Sequence, residues 1–158
     1  KNYSDKLVGG TEKKGLILTG NNGTGKTHLA CSIANRLIEN GIPIIYGTLI
    51  NLLAELRNSY DVDNNISEIE IIKLYENVDL LIIDDLGTET MNSMKFTELF
   101  TIINTRLLNQ NNKITKTIIS TNLDLKSIFT IYNERIGSRI AGHYNIYRFF
   151  GDDIRLRK

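Results

Sequence analysis

Gly20-Asn21-Asn22-Gly23-Thr24-Gly25-Lys26-Thr27 is the stretch on which the reading of this chain turns. It matches the phosphate-binding pattern G-x-x-x-x-G-K-[ST] without a mismatch. A short apolar run at 16–19 leads into it and a helical pattern over 27–40 leads out, the strand-loop-helix context that such a loop requires. Gly20, Gly23 and Gly25 let the backbone wrap closely, so that successive N–H groups point at phosphate oxygens. The helix that follows adds the positive end of its dipole. Lys26 is placed to reach β- and γ-phosphates, and the Thr27 hydroxyl to ligate Mg²⁺. The expected nucleotide contacts are therefore Gly20, Asn21, Asn22, Gly23, Thr24, Gly25, Lys26, Thr27 and His28. The loop by itself specifies a nucleoside triphosphate and no particular reaction.

Working outward, five short apolar runs read as strands, at 16–19, 42–46, 80–84, 117–120 and 144–149. Between them, helical spacing covers 27–40, 50–60, 66–77, 93–108 and 125–140. Gly41 and Pro43 stop the first of these helices. Strands alternating with helices predict an α/β layered fold whose ligand site lies at the carboxyl ends of the strands. Residues 1–14 are polar and read as a lead-in or linker stub.

Leu80-Leu81-Ile82-Ile83-Asp84-Asp85 is an apolar strand that ends in two carboxylates at that same edge. Asp84 is expected to hold Mg²⁺, through water because Mg²⁺ dehydrates reluctantly. Asp85 points differently and suits orientation or deprotonation of an attacking water. The next apolar strand delivers Ser120-Thr121-Asn122. The Asn122 amide either bonds both γ-phosphate and water or caps the helix that begins near Leu123–Asp124. The paired carboxylates favour hydrolysis by water.

Composition bounds the alternatives. The chain has 158 residues, 41% hydrophobic and 23% charged, which suits one ordered domain with a sizeable core. Its apolar runs are too short to cross a bilayer, so no membrane role is expected. One cysteine, Cys31, excludes a disulfide framework and, with only two histidines, makes structural zinc improbable. A reducing, cytoplasmic setting is the expectation. The net charge is +1, but residues 1–112 hold ten Lys/Arg and fourteen Asp/Glu whereas 113–158 hold nine and four. The basic end is either solvated surface or a face for phosphates or an acidic neighbour.

Gly23-Thr24-Gly25-Lys26-Thr27-His28-Leu29-Ala30, Leu81-Ile82-Ile83-Asp84-Asp85-Leu86-Gly87 and Ser120-Thr121-Asn122 together resemble the AAA+ ATPase domain of bacterial replicative helicase loaders of the DnaC/DnaI type. IstB-like transposition helper ATPases share much of the pattern. The resemblance spans 15–158 and implies a P-loop domain of AAA+ type with a parallel sheet ordered 5-1-4-3-2. It implies ATP and ADP as ligands, Mg²⁺ as cofactor, and self-assembly into a helical or ring-like oligomer. Asn133-Glu134-Arg135-Ile136-Gly137-Ser138-Arg139 resembles the segment carrying the family's arginine finger, with Arg139 reaching the γ-phosphate of the adjacent subunit. Gly151-Asp152-Asp153-Ile154-Arg155 resembles the ending that supplies a sensor arginine, so Arg155 would contact nucleotide in its own subunit. Arg135 and Arg157 are the alternatives for these two roles.

The resemblance also implies partners. These are a hexameric replicative helicase, contacted through an N-terminal domain expected to be missing here, and single-stranded DNA, with Tyr46, Arg57, Tyr60, Lys113 and Lys116 as weak candidates for DNA contact. Because the chain stops at Lys158, a C-terminal helical lid domain is not expected. Asp84-Asp85 departs from the Asp-Glu common in AAA+ proteins, and the shorter Asp85 implies slow hydrolysis. The rival readings are a transposase helper with the same chemistry, a small-molecule kinase, and an ATP-binding switch that hardly hydrolyses.

Overall fold

The computed structural model describes residues 2–58, 67–90, 92–108 and 115–154. Five parallel strands, β1 (Gly15–Gly20), β2 (Ile44–Thr48), β3 (Leu80–Leu86), β4 (Lys116–Thr121) and β5 (Tyr144–Phe149), form one sheet in the order β2-β3-β4-β1-β5. This is the expected order read from the other edge. β1, β3 and β4 are central and buried on both faces, which is why they read as unbroken apolar runs and not as alternation.

Among the described residues, six helices cover the sheet: α1 (Asn2–Val8), α2 (Lys26–Ile38), α3 (Leu49–Asn58), α4 (Glu68–Asn77), α5 (Ser93–Leu108) and α6 (Leu125–His143). Leu16, Leu18, Ile82 and Ile118 pack beneath α2, while Ile17, Leu81, Ile83 and Ile119 pack on the opposite face among α3, α4, α5 and α6. Fully burying each such Leu or Ile contributes about 1.5–3 kcal/mol. The residue alternation of each central strand therefore feeds two cores at once.

Three local features were not foreseen. Residues 1–14 are not all lead-in, because α1 lays Tyr3 and Leu7 against the α2 core and pairs Asp5 with Arg36. Too short to show a helical period convincingly, α1 is held by that tertiary packing. α4 begins at Glu68 because Ser67 and Glu70 form a reciprocal cap, with the Ser67 N–H donating to Glu70 Oε2 at 2.8 Å. α6 is two helical pieces joined at Asn133, whose φ of 63° and ψ of 171° interrupt the helix. The Asn133 side chain accepts the Arg135 N–H at 2.7 Å and so starts the second piece. Among the described residues no helix is long and apolar enough to cross a membrane.

Candidate active site

The phosphate loop joins β1 to α2, and each of its glycines is required for a different reason. Gly20 lies beside the β5 backbone, where a Cβ would sit 2.3 Å from the Phe149 carbonyl oxygen. Gly23, at φ 68°, faces the carboxyl of Asp153, which a Cβ would meet at 1.7 Å. Gly25 takes φ 94° and opens onto empty space, so it is needed for its backbone conformation. Gly25 is also the N-cap of α2 and supplies no side-chain bond to the first-turn N–H groups. Those donors are left for an anion. Gly23→Ala should weaken ATP binding by about tenfold or more, because both the positive φ and the Asp153 contact must be given up. Titration with a fluorescent ATP analogue checks this.

Lys26 is buried, and its Nζ donates to the carbonyl oxygens of Gly20 and Asn21 at 2.7 Å each. The ammonium is thereby folded across the loop. Thr24 Oγ1 donates to the Asn21 carbonyl at 2.8 Å and stiffens the turn. Thr27, one residue into the helix, donates its hydroxyl to Asp84 Oδ1 at 3.2 Å. The two residues expected to hold Mg²⁺ are therefore neighbours, although 57 positions separate them in the chain. A buried carboxylate beside a hydroxyl is the hard oxygen donor set that Mg²⁺ prefers, so the residues present fit the ion.

Two further hydroxyls converge on Asp84. Ser120 Oγ donates to Oδ1, and the Tyr46 phenol donates to Oδ2 at 2.5 Å. Neither had been given this role. Ser120 lies in β4 just beyond the Ile83–Ile119 pairing, so strand alternation carried the signal once the register was known. Tyr46 had been a candidate for DNA contact; the residue is 48% exposed but its hydroxyl is committed to Asp84. Burial first, and then the Asp84 bond, raise its pKa above the ordinary tyrosine value.

Asp85 points elsewhere because the sheet is irregular at this residue. The β3–β4 pairing shifts register between Ile83 and Leu86, and Asp85 takes φ 52°. Such a bulge re-aims a side chain next to a site. The Asp85 N–H donates to Ser120 Oγ at 3.1 Å, and its side chain faces a cavity of about 510 Å³. Lys26, Thr27, His28, Thr88 and Asn122 line the same cavity, with Asn22, Gly23 and Gly25 of the loop. Asn122 is not the helix cap. That role falls to Asp124, whose carboxyl accepts the Ser127 N–H at 2.8 Å. The Ser127 backbone bond holds the Asp124 pKa below its ordinary value, so the capping stabilisation is present above that value and is lost as pH falls through the folded-state one.

Arg139 is half-buried on the second piece of α6 and does not line this cavity. Ile154 does line it, and its N–H donates to the Gly23 carbonyl at 3.0 Å, so the chain crosses the phosphate loop just before Arg155. Arg155 itself, with Arg157, Tyr60 and Lys113, lies outside the described residues. Lys116 is buried at the start of β4, which removes it as an exposed DNA contact.

With this geometry, the chain compares with known proteins as follows. Residues 10–157 match the family described as IstB-like ATP binding protein. The replicative helicase loader DnaC of Buchnera aphidicola subsp. Baizongia pistaciae is 29% identical over 143 residues, which are 90% of this chain and 56% of that protein. This chain thus spans about half the length of such relatives. A crystal structure of the DnaC helicase loader superposes with a TM-score of 0.74 at 24% identity, covering 93% of this chain and 86% of that one. A replication initiator DnaA bound to AMPPCP and single-stranded DNA superposes at 0.78 with 22% identity, covering 96% and 45%. With its phosphate loop, acidic strand and Asn122 gathered at one sheet edge, this chain belongs to the IstB-like ATP binding protein family.

Proposed function

We propose that the domain hydrolyses ATP to ADP and phosphate at this cavity and that it serves a replicative helicase loader. One observation carries the chemical part: Lys26, Thr27, Asp85 and Asn122, from three different strand ends, line a single cavity with Asp84 hydrogen-bonded to Thr27. The loop amides and Lys26 hold the phosphates, and Thr27 with Asp84 holds Mg²⁺. When bound, Mg²⁺ neutralises charge on the β- and γ-phosphates. Asp85 accepts a hydrogen bond from the attacking water, and Asn122 orients that water against the γ-phosphate. Thr27 and Asp84 would hold the ion, with Ser120 and Tyr46 keeping the carboxylate aligned.

Arg139, which does not line its own cavity, is assigned to completing the site of a neighbouring subunit. A guanidinium suits this task because it stays charged and forks onto phosphate oxygens. Arg155 is proposed to touch nucleotide in its own subunit, carried there by the strap that Ile154 anchors to Gly23. The named helicase-loader relatives support hexameric helicase as the partner, and the likeness to an initiator bound to single-stranded DNA is in keeping with DNA as a second ligand. A second reading, helper to a DNA transposase, is favoured by the IstB-like family match. It uses the same chemistry and differs only in partner.

The test is ATP hydrolysis measured against protein concentration, with and without single-stranded DNA. The expected rate per subunit climbs with concentration and rises further with DNA. Arg139→Ala should remove that climb and lower the assembled rate by about 10³-fold, the lower end of what arginine fingers supply. A concentration-independent rate that Arg139→Ala leaves unchanged would overturn the shared-site reading.

A further inference from the structure

Among the described residues, two that are not glycine adopt a positive φ: Asp85 at 52° and Asn133 at 63°. Such conformations are costly for residues with a Cβ and gather where a structure uses them. One belongs to the water-handling turn of the subunit's own site, and the other is the kink from which the Arg139 segment leaves. A chain of side-chain contacts joins them.

The joint is Glu89. It lies in the loop between β3 and α5, is buried at 9% exposure, and does not line the cavity. Its carboxyl accepts the Gly87 N–H at 3.1 Å, two residues from Asp85, and also accepts the hydroxyl of Tyr132. Tyr132 is fully buried and immediately precedes Asn133. Burial and the Glu89 bond keep this phenol protonated, so it acts as the donor. Beyond the kink, Gly137 packs on the Phe129 ring so closely that a Cβ would lie 2.7 Å from it. The second piece of α6 is thus braced against the first, and its direction follows from the kink. Burying a glutamate on a loop is unfavourable unless its bonds are made. Here both donors belong to functional segments, and the carboxyl touches nothing in the cavity.

We propose that Glu89 is a positioning residue for two sites at once: it holds the Asp85 turn of its own subunit and, through Tyr132, sets the direction of the Arg139 segment offered to the next. The inference rests on Arg139 acting in trans. Its consequence is that the state of one site biases the completion of the adjacent one through a physical link of two side chains.

Mixed assemblies test it. Subunits with Asn122→Ala keep Arg139 but have a silent site of their own, whereas subunits with Arg139→Ala keep the site but have no finger to give. The mixture should hydrolyse ATP well above either component alone. Placing Glu89→Gln in the finger-donating subunit should lower the mixture's rate by about tenfold, the scale of one strong buried hydrogen bond. Tyr132→Phe in the same subunit should act in the same direction and perturb the fold less. An unchanged rate with either donor variant overturns the proposal. A mixture silent with native Glu89 overturns the trans reading itself, and this inference with it. Amide hydrogen exchange supplies the readout that hydrolysis does not. Both variants should speed exchange over residues 134–143 while β1 and β4 stay protected. Exchange unchanged over 134–143, or raised equally in those central strands, overturns the positioning role.

Discussion

Lys26→Ala is expected to abolish measurable ATP hydrolysis and to weaken ATP binding by about 10²-fold or more while leaving the fold intact. Removing one preorganised donor from a charge-developing site costs on the order of 10²–10³ in rate. Lys26 is a stronger case, being a full positive charge in a buried position. Its Nζ already lies 2.7 Å from two loop carbonyls, so only a small rotation is needed to meet phosphate oxygens. Gly20 is half-buried and Asn21 exposed, so water can reach those carbonyls in the truncated variant and the penalty to stability is small. Lys26→Arg should not restore activity, because a planar fork cannot occupy the space of a compact ammonium wrapped by the loop. Titration with a fluorescent ATP analogue and a thermal melt check both halves. Turnover above a tenth of the native rate would refute the assignment.

Arg106→Ala should do the reverse, destabilising the domain by about 2–5 kcal/mol through stranded hydrogen-bond partners and a void, with no direct contact to the site. Arg106 is 1% exposed, at the last turn of α5. Its guanidinium donates to the Tyr75 carbonyl at 2.6 Å and to the Val78 carbonyl at 2.9 Å, which close α4. It also donates to the Thr117 hydroxyl at 2.9 Å and to the Lys116 carbonyl, which open β4. Burial pushes its pKa down to about 10, leaving it charged at neutral pH. Truncation would strand the buried carbonyls of Tyr75 and Lys116 and the part-buried one of Val78, and would leave a void where the side chain lay, each an established route to large losses. Domains are stable by only about 5–15 kcal/mol, so a large share of the total is at stake. Urea denaturation with an unchanged slope and a lowered midpoint is the expected result. A loss below about 1 kcal/mol would show that the four contacts are dispensable.

The contrast between these two residues explains what was legible. Lys26 could be read from spacing alone, because the loop is a local device whose glycines, lysine and threonine must follow one another in fixed order. Arg106 could not. Nothing in 93–108 distinguishes it from a solvated arginine at a helix end, and its four partners come from two other elements. The acidic strand was equally legible, since Asp84 and Asp85 end an apolar run. Asp84 bonds to Thr27 whereas Asp85 lines the cavity, and the bulge that turns Asp85 was invisible in the sequence. Asn122 shows the intermediate case. Two roles were open to it in the sequence, and Asp124 closes one of them by taking the cap.

The sequence by itself determined the layered α/β class, the phosphate loop and the acidic strand that faces it. Each of these is written in neighbouring residues or in a repeating period, so covalent connectivity enforces it. Only the tertiary structure decided who holds Asp84 and what joins the two strained turns. Tyr46 and Ser120 lie 38 and 36 positions from Asp84, and Tyr132 lies 43 from Glu89. Contacts at such separations exist only after the strands have paired in one register and the helices have packed, and many registers share the same local pattern. Burial of the two cores selects among them, and the hydroxyls and carboxyls of the site then fall where that packing sets them.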